Sequence, residues 1–95
     1  MTFPARRGAT SRTGERWELA TSLRTALGRT IRRLREKDGF SQEGFADRVG
    51  VHRTYMGAVE RGEVNISLKN IEKIARALDL SAGALLRKAE RSPRR

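Results

Sequence analysis

Ser41-Gln42-Glu43-Gly44-Phe45-Ala46-Asp47-Arg48-Val49-Gly50-Val51-His52-Arg53-Thr54-Tyr55-Met56-Gly57-Ala58-Val59-Glu60-Arg61 is the run that decides the fold of this chain. Phe45, Ala46 and Val49 recur at helical spacing, and so do Tyr55, Met56 and Val59, so the run reads as two short helices that each bury one side. Ser41 offers an oxygen to cap the first helix. Gly50 ends it, because glycine enters the left-handed conformation that a tight bend needs. His52 holds the cap position of the second helix, where Ser, Thr or Asp is more usual.

The order of small and apolar residues adds a constraint. Ala46 is followed four residues later by Gly50, then after six by Met56 and after three by Val59. A small residue at the close approach, a glycine at the bend and two apolar residues sealing the second helix make the spacing of a helix-turn-helix, placed over residues 42–61.

Upstream, Leu23, Leu27, Ile31 and Leu34 form one apolar stripe on a helix from about Leu23 to Lys37, stopped by Gly39. Trp17 and Ala20 continue the stripe, so that helix begins as early as Arg16, or a separate short helix precedes it. Downstream, Gly62 stops the second helix of the motif and Glu63-Val64-Asn65-Ile66 forms a loop. Ser67 caps a fourth helix with Leu68, Ile71, Ile74, Ala75 and Leu78 inward, and Ser81 caps a short fifth with Ala84, Leu85 and Leu86. The expected fold is all-α, five helices over residues 15–89. A flexible basic arm at 1–14, with Pro4, Gly8, Gly14 and only Phe3 as a large apolar group, precedes it, and a basic tail at 90–95 follows.

The formal net charge is +10, and its distribution is uneven. Residues 1–16 carry +3, residues 24–39 carry +4 and residues 87–95 carry +4, whereas residues 40–86 are neutral. Such an excess points to a polyanionic partner. Basic tails supply general phosphate attraction, and the neutral middle supplies whatever is selective. With no cysteine and one histidine, neither a thiolate zinc site nor a catalytic cluster can be assembled, so no enzyme activity, metal or cofactor is expected. No apolar run reaches the roughly 20 residues that cross a bilayer, and the expectation is a cytoplasmic protein with no membrane partner.

Phe40-Ser41-Gln42-Glu43 through Val49-Gly50-Val51, Arg53-Thr54-Tyr55 and Val59-Glu60-Arg61-Gly62 resemble the Cro/repressor-like, or xenobiotic-response-element, family. Asn65, Ser67-Leu68 and Ile74-Ala75-Arg76-Ala77-Leu78 fit its fourth helix, and the likeness runs from about Leu27 to Leu86. Arg-Thr-Tyr at the start of the third helix is similar to the controller proteins of restriction–modification systems. The resemblance implies a sequence-specific regulator of transcription whose third helix enters the major groove of double-stranded DNA. It places Arg53, Thr54, Gly57 and Ala58 toward the bases, with Arg53 the one long donor among them. It places Ser41, Gln42, His52, Tyr55, Arg61, Asn65, Ser67 and Lys69 toward phosphates, and Arg35 and Glu60 in a partly buried ion pair. Gly44, His52 and Ile66 depart from the family pattern.

One such module touches few base edges, so a homodimer on a palindromic operator is expected, with Leu80, Leu85 and Leu86 as its two-fold patch. The alternative is an antitoxin that masks a toxin protein and regulates its own operon, with the Trp17–Leu23 extension and the basic arm as the handle.

Overall fold

The computed structural model describes residues 13–92, with side chains from residue 23 onward. Five helices follow one another: α1 (Thr13–Lys37), α2 (Gln42–Val49), α3 (Arg53–Glu60), α4 (Leu68–Ala77) and α5 (Ala82–Arg91). No strand occurs among the described residues. Residues 1–12 of the expected arm and the last three residues of the expected tail lie outside them.

α1 is one continuous helix of 25 residues, which settles the choice left open by Trp17 and Ala20. It starts at Thr13, so the last two residues assigned to the arm are helical. Glu18-Leu19-Ala20 are strong helix formers by sequence, and they extend a helix already nucleated. Likewise Glu90 and Arg91, read as tail, close α5, and Ala89 beneath them is fully buried.

Ile31, Phe45, Met56, Ile74 and Leu85, one from each helix, are completely excluded from solvent. α1 packs on α5 and α3, while α2 is held between α3 and α4. Leu85 therefore corrects the expected dimer patch. At α5's inward position it fills the monomer's own core, leaving only Leu80 and Leu86 half-exposed. Leu68 is a second correction: it opens α4 ahead of the turn that reaches the core and is 76 % exposed, whereas Ile71, three residues on, is buried.

Close helix approach is bought by small residues at one seam. A Cβ on Gly28 would lie 2.5 Å from the carbonyl oxygen of Val59 and 2.6 Å from that of Glu60, so α1 meets the end of α3 backbone to backbone. Thr30, also fully buried, pairs its hydroxyl with that of Ser92 at 3.3 Å and so ties the end of α5 to α1.

Candidate nucleic-acid interface

The bend between α2 and α3 is built as its residues suggest. Gly50 is left-handed, with φ 91°, and both its N–H and that of Val51 donate to the Ala46 carbonyl at 2.8 and 3.0 Å. His52 caps α3: its Nδ1 accepts from the Thr54 N–H at 3.0 Å. Replacing His52 by Ala is expected to cost about 1 kcal/mol of stability, with Ser restoring it, read by urea unfolding. Equal stability of the two variants would show the cap to be idle.

Three helix N-termini are neighbours on this surface. Arg53 of α3 lies 3.6 Å from Glu43 in the first turn of α2, and Asn70 in the first turn of α4 donates to the Tyr55 hydroxyl of α3 at 3.0 Å. Ser41 and Ser67 cap α2 and α4 by accepting from the Gly44 and Asn70 N–H groups at 2.9 and 3.1 Å. The free N–H groups of a first turn and the helix dipole together favour an anion. Arg53 and Thr54 are exposed among these ends, as is Lys69.

Two expected base-facing residues are less open. Gly57 is buried, which corrects its assignment to the bases: a Cβ there would stand 3.1 Å from Arg61 Nη1 and 3.3 Å from Gln42 Oε1, so these two side chains roof it. Having no side chain, Gly57 leaves room for Gln42 and Arg61 to lie across α3. Ala58 is half-buried.

Beneath the surface sits a clamp. Arg35 Nε donates to Glu60 Oε2 at 2.7 Å, its Nη2 to Glu60 Oε1 at 3.0 Å and its Nη1 to the Phe40 carbonyl at 2.9 Å. Both charged residues are buried, at 6 % and 8 % exposure. The hydrogen bond to Glu60 raises the Arg35 pKa above its ordinary value; burial opposes the shift, and the charges of Glu60 and Glu36 assist it. Gln42 joins the network, donating to Glu60 Oε1 at 3.1 Å. One of its amide N–H groups is thus used internally, and the second is left to donate elsewhere.

Other expected phosphate ligands have partners too. Asn65 Oδ1 accepts from Arg24 Nη1 at 2.5 Å, pinning the loop after α3 to α1. Tyr55 is half-buried, and because its oxygen accepts from Asn70 its own proton is free to be donated outward. Arg61 bonds Glu63 at 3.0 Å, and that bond raises the Arg61 pKa and lowers that of Glu63. Sequence reasoning missed Arg24, Gly28, Thr30 and Asn70. A glycine inside the α1 stripe was a visible signal for Gly28, whereas Arg24–Asn65 spans 41 residues and leaves no local trace.

A sequence profile described as helix-turn-helix matches residues 31–85. The chain belongs to the helix-turn-helix family. Its Cro/repressor-like character fits the relatives found for it. The chain is similar to a hypothetical transcription factor of Neisseria meningitidis serogroup B, 48 % identical over 64 residues, which are 67 % of this chain and 60 % of that protein. The match therefore spans less than two thirds of that relative's length. It is also similar to the control protein C.BamHI of Bacillus amyloliquefaciens, 41 % identical over 69 residues, 72 % of this chain and 85 % of that one. Among solved structures, the restriction–modification controller protein C.AhdI from Aeromonas hydrophila superposes with a TM-score of 0.61 at 46 % identity, covering 64 % of this chain and 88 % of that chain. Among the described residues of this helix-turn-helix protein, no helix is long and apolar enough to cross a membrane.

Proposed function

We propose that this chain is a sequence-specific, double-stranded-DNA-binding regulator of transcription in the cytoplasm, acting as a dimeric repressor or controller protein at a palindromic operator. The observation that carries the proposal is the pair Arg53 and Thr54, exposed at the front of α3 between the first turns of α2 and α4. α3 supplies the base-reading edge in the major groove, and the flanking turns hold a phosphate on either side.

Base reading rests on few groups. Arg53 exchanges its exposed contact with Glu43, an interaction worth about 0–1 kcal/mol, for a bidentate bond to guanine. Thr54 adds a hydroxyl and a methyl. Ala58 offers at most an apolar contact, so sequence-dependent DNA shape carries part of the selectivity. Ser41, Gln42, Tyr55, Ser67 and Lys69 serve the phosphates, while His52, Arg61 and Asn65 contribute chiefly by ordering α3 and the loop that follows.

Selection of bound sequences from a random duplex pool tests the reading, and a pool with no enriched motif rejects it. Arg53→Ala is expected to weaken binding to the selected site by about 1–3 kcal/mol, roughly 5- to 150-fold, and to relax preference at one base position. Equal loss on selected and random duplexes would show Arg53 to be a phosphate ligand only.

Dimerisation uses the half-exposed Leu80 and Leu86, with half-sites about 34 Å apart. Analytical ultracentrifugation is expected to show a dimer at tens of micromolar, and a monomer there removes the two-fold patch. The relatives named above are a transcription factor and control proteins, and no observation favours the antitoxin alternative.

A further inference from the structure

Outside the first turns of α2, α3 and α4 lies a second collection of positive charge. A shallow cavity of about 330 Å³ opens between the end of α2 and the second half of α4, lined by Arg48, Val49, Lys73, Arg76 and Ala77. Three of these five residues are cations, and no carboxylate lines the cavity. None of them belongs to the groups assigned above to bases or phosphates of the operator.

Arg48, though exposed, is held at two points. Its Nε donates to the Ala77 carbonyl at 3.1 Å, and its guanidinium carbon stands 5.4 Å from the centre of the Phe40 ring. That leaves the two terminal nitrogens of a pre-oriented planar fork, the geometry that takes a phosphate in bidentate fashion. Lys73 supplies a compact point charge, its Nζ 4.0 Å from where a Cβ of Gly50 would be. Arg48 and Arg76 each stand in the last turn of a helix, where the dipole alone accounts for a cation. Lys73, a turn earlier in α4, has no such reason to be there.

Three like charges around one hollow repel one another, and an anion placed among them removes that repulsion. A carboxylate would balance one of the three. A terminal phosphate carries about −1.5 to −2 and a backbone phosphodiester about −1, so a short run of linked groups balances the trio. The volume is at the small end for ligand sites. We infer that the α2–α4 cavity binds phosphate groups, through Arg48, Lys73 and Arg76, at a site separate from the base-reading surface. The groups come from a free oligophosphate or from the backbone of flanking duplex.

The test uses the full chain labelled with ¹⁵N at constant ionic strength. Pyrophosphate is titrated in one series and a 30-base-pair duplex in the other. The amides of Arg48, Gly50 and Ala77 are followed. The expected result is saturable movement of these amides, with the apparent Kd raised at least tenfold in Lys73→Gln/Arg76→Gln. Unchanged thermal unfolding of that double variant shows that the fold is intact. Movement with pyrophosphate identifies a free ligand. Movement with duplex alone, together with a shallower salt dependence in the double variant, identifies the DNA backbone. Movement with neither, or equal movement in the double variant, overturns the inference. Because neither series needs a specific operator, failure here is distinct from failure of the DNA-sequence reading.

Discussion

Glu60→Ala is expected to destabilise the domain by about 3–5 kcal/mol, measured by urea unfolding followed by circular dichroism. The loss is not that of an ordinary ion pair. Glu60 accepts two bonds from Arg35 and one from Gln42, and both charged partners are buried. Without it the Arg35 guanidinium keeps only the Phe40 carbonyl as a close partner and stays out of water, with Glu36 3.9 Å away at the edge. A domain of this size has about 5–15 kcal/mol in hand, so the variant is near unfolding at physiological temperature. Replacing the pair together, as Arg35→Met with Glu60→Leu, is expected to recover most of the loss, because apolar side chains of similar volume need no compensation when buried. A cost below about 1 kcal/mol for Glu60→Ala would place the pair with solvent-exposed bridges and remove its role as a clamp. DNA binding gives an independent reading. Arg35→Met/Glu60→Leu leaves Gln42 without its acceptor, so affinity falls even where stability is restored.

The residues that the sequence exposes most clearly are those whose effect is local. Ser41, Gly50, Ser67 and Ser81 act within four residues of their partners, and each cap and bend stands where its chemistry suggests. Periodicity also finds the core, because a helix repeats its buried side at fixed intervals. It misjudges position along the helix axis. Leu68 and Leu85 have equally good spacing, yet one lies in the open first turn of α4 and the other at the centre of the core. Only the packing of neighbours decides that difference. Gly57 fails for a related reason. Its place on α3 suits a groove, but whether it is open depends on Gln42 and Arg61, which come from other turns of the structure. The long-range pairs Arg24–Asn65 and Thr30–Ser92 leave no signature in a single sequence, since either partner alone resembles a surface polar residue.

Gly28→Ala puts that distinction to a quantitative test. In an isolated helix the change gains about 1 kcal/mol, because alanine loses less backbone freedom on folding. Here the added carbon would stand 2.5 Å from the Val59 carbonyl oxygen, 2.6 Å from that of Glu60 and 2.9 Å from the Glu60 carbonyl carbon. These are backbone atoms, which no rotamer change can move aside, so α1 and the end of α3 must separate. The expected outcome is a net destabilisation of about 1–3 kcal/mol despite the gain in propensity. The separation acts at the residue that carries the clamp, so Gly28→Ala and Glu60→Ala should be non-additive by more than about 0.5 kcal/mol in a double-mutant cycle. A stabilised Gly28→Ala variant would mean that the two helices have room to spare, and the backbone contact would then not be what sets the angle of α3. If the contact does set that angle, the substitution displaces Arg53 and Thr54 as well. Affinity for the selected duplex then falls further than the loss of folded protein accounts for.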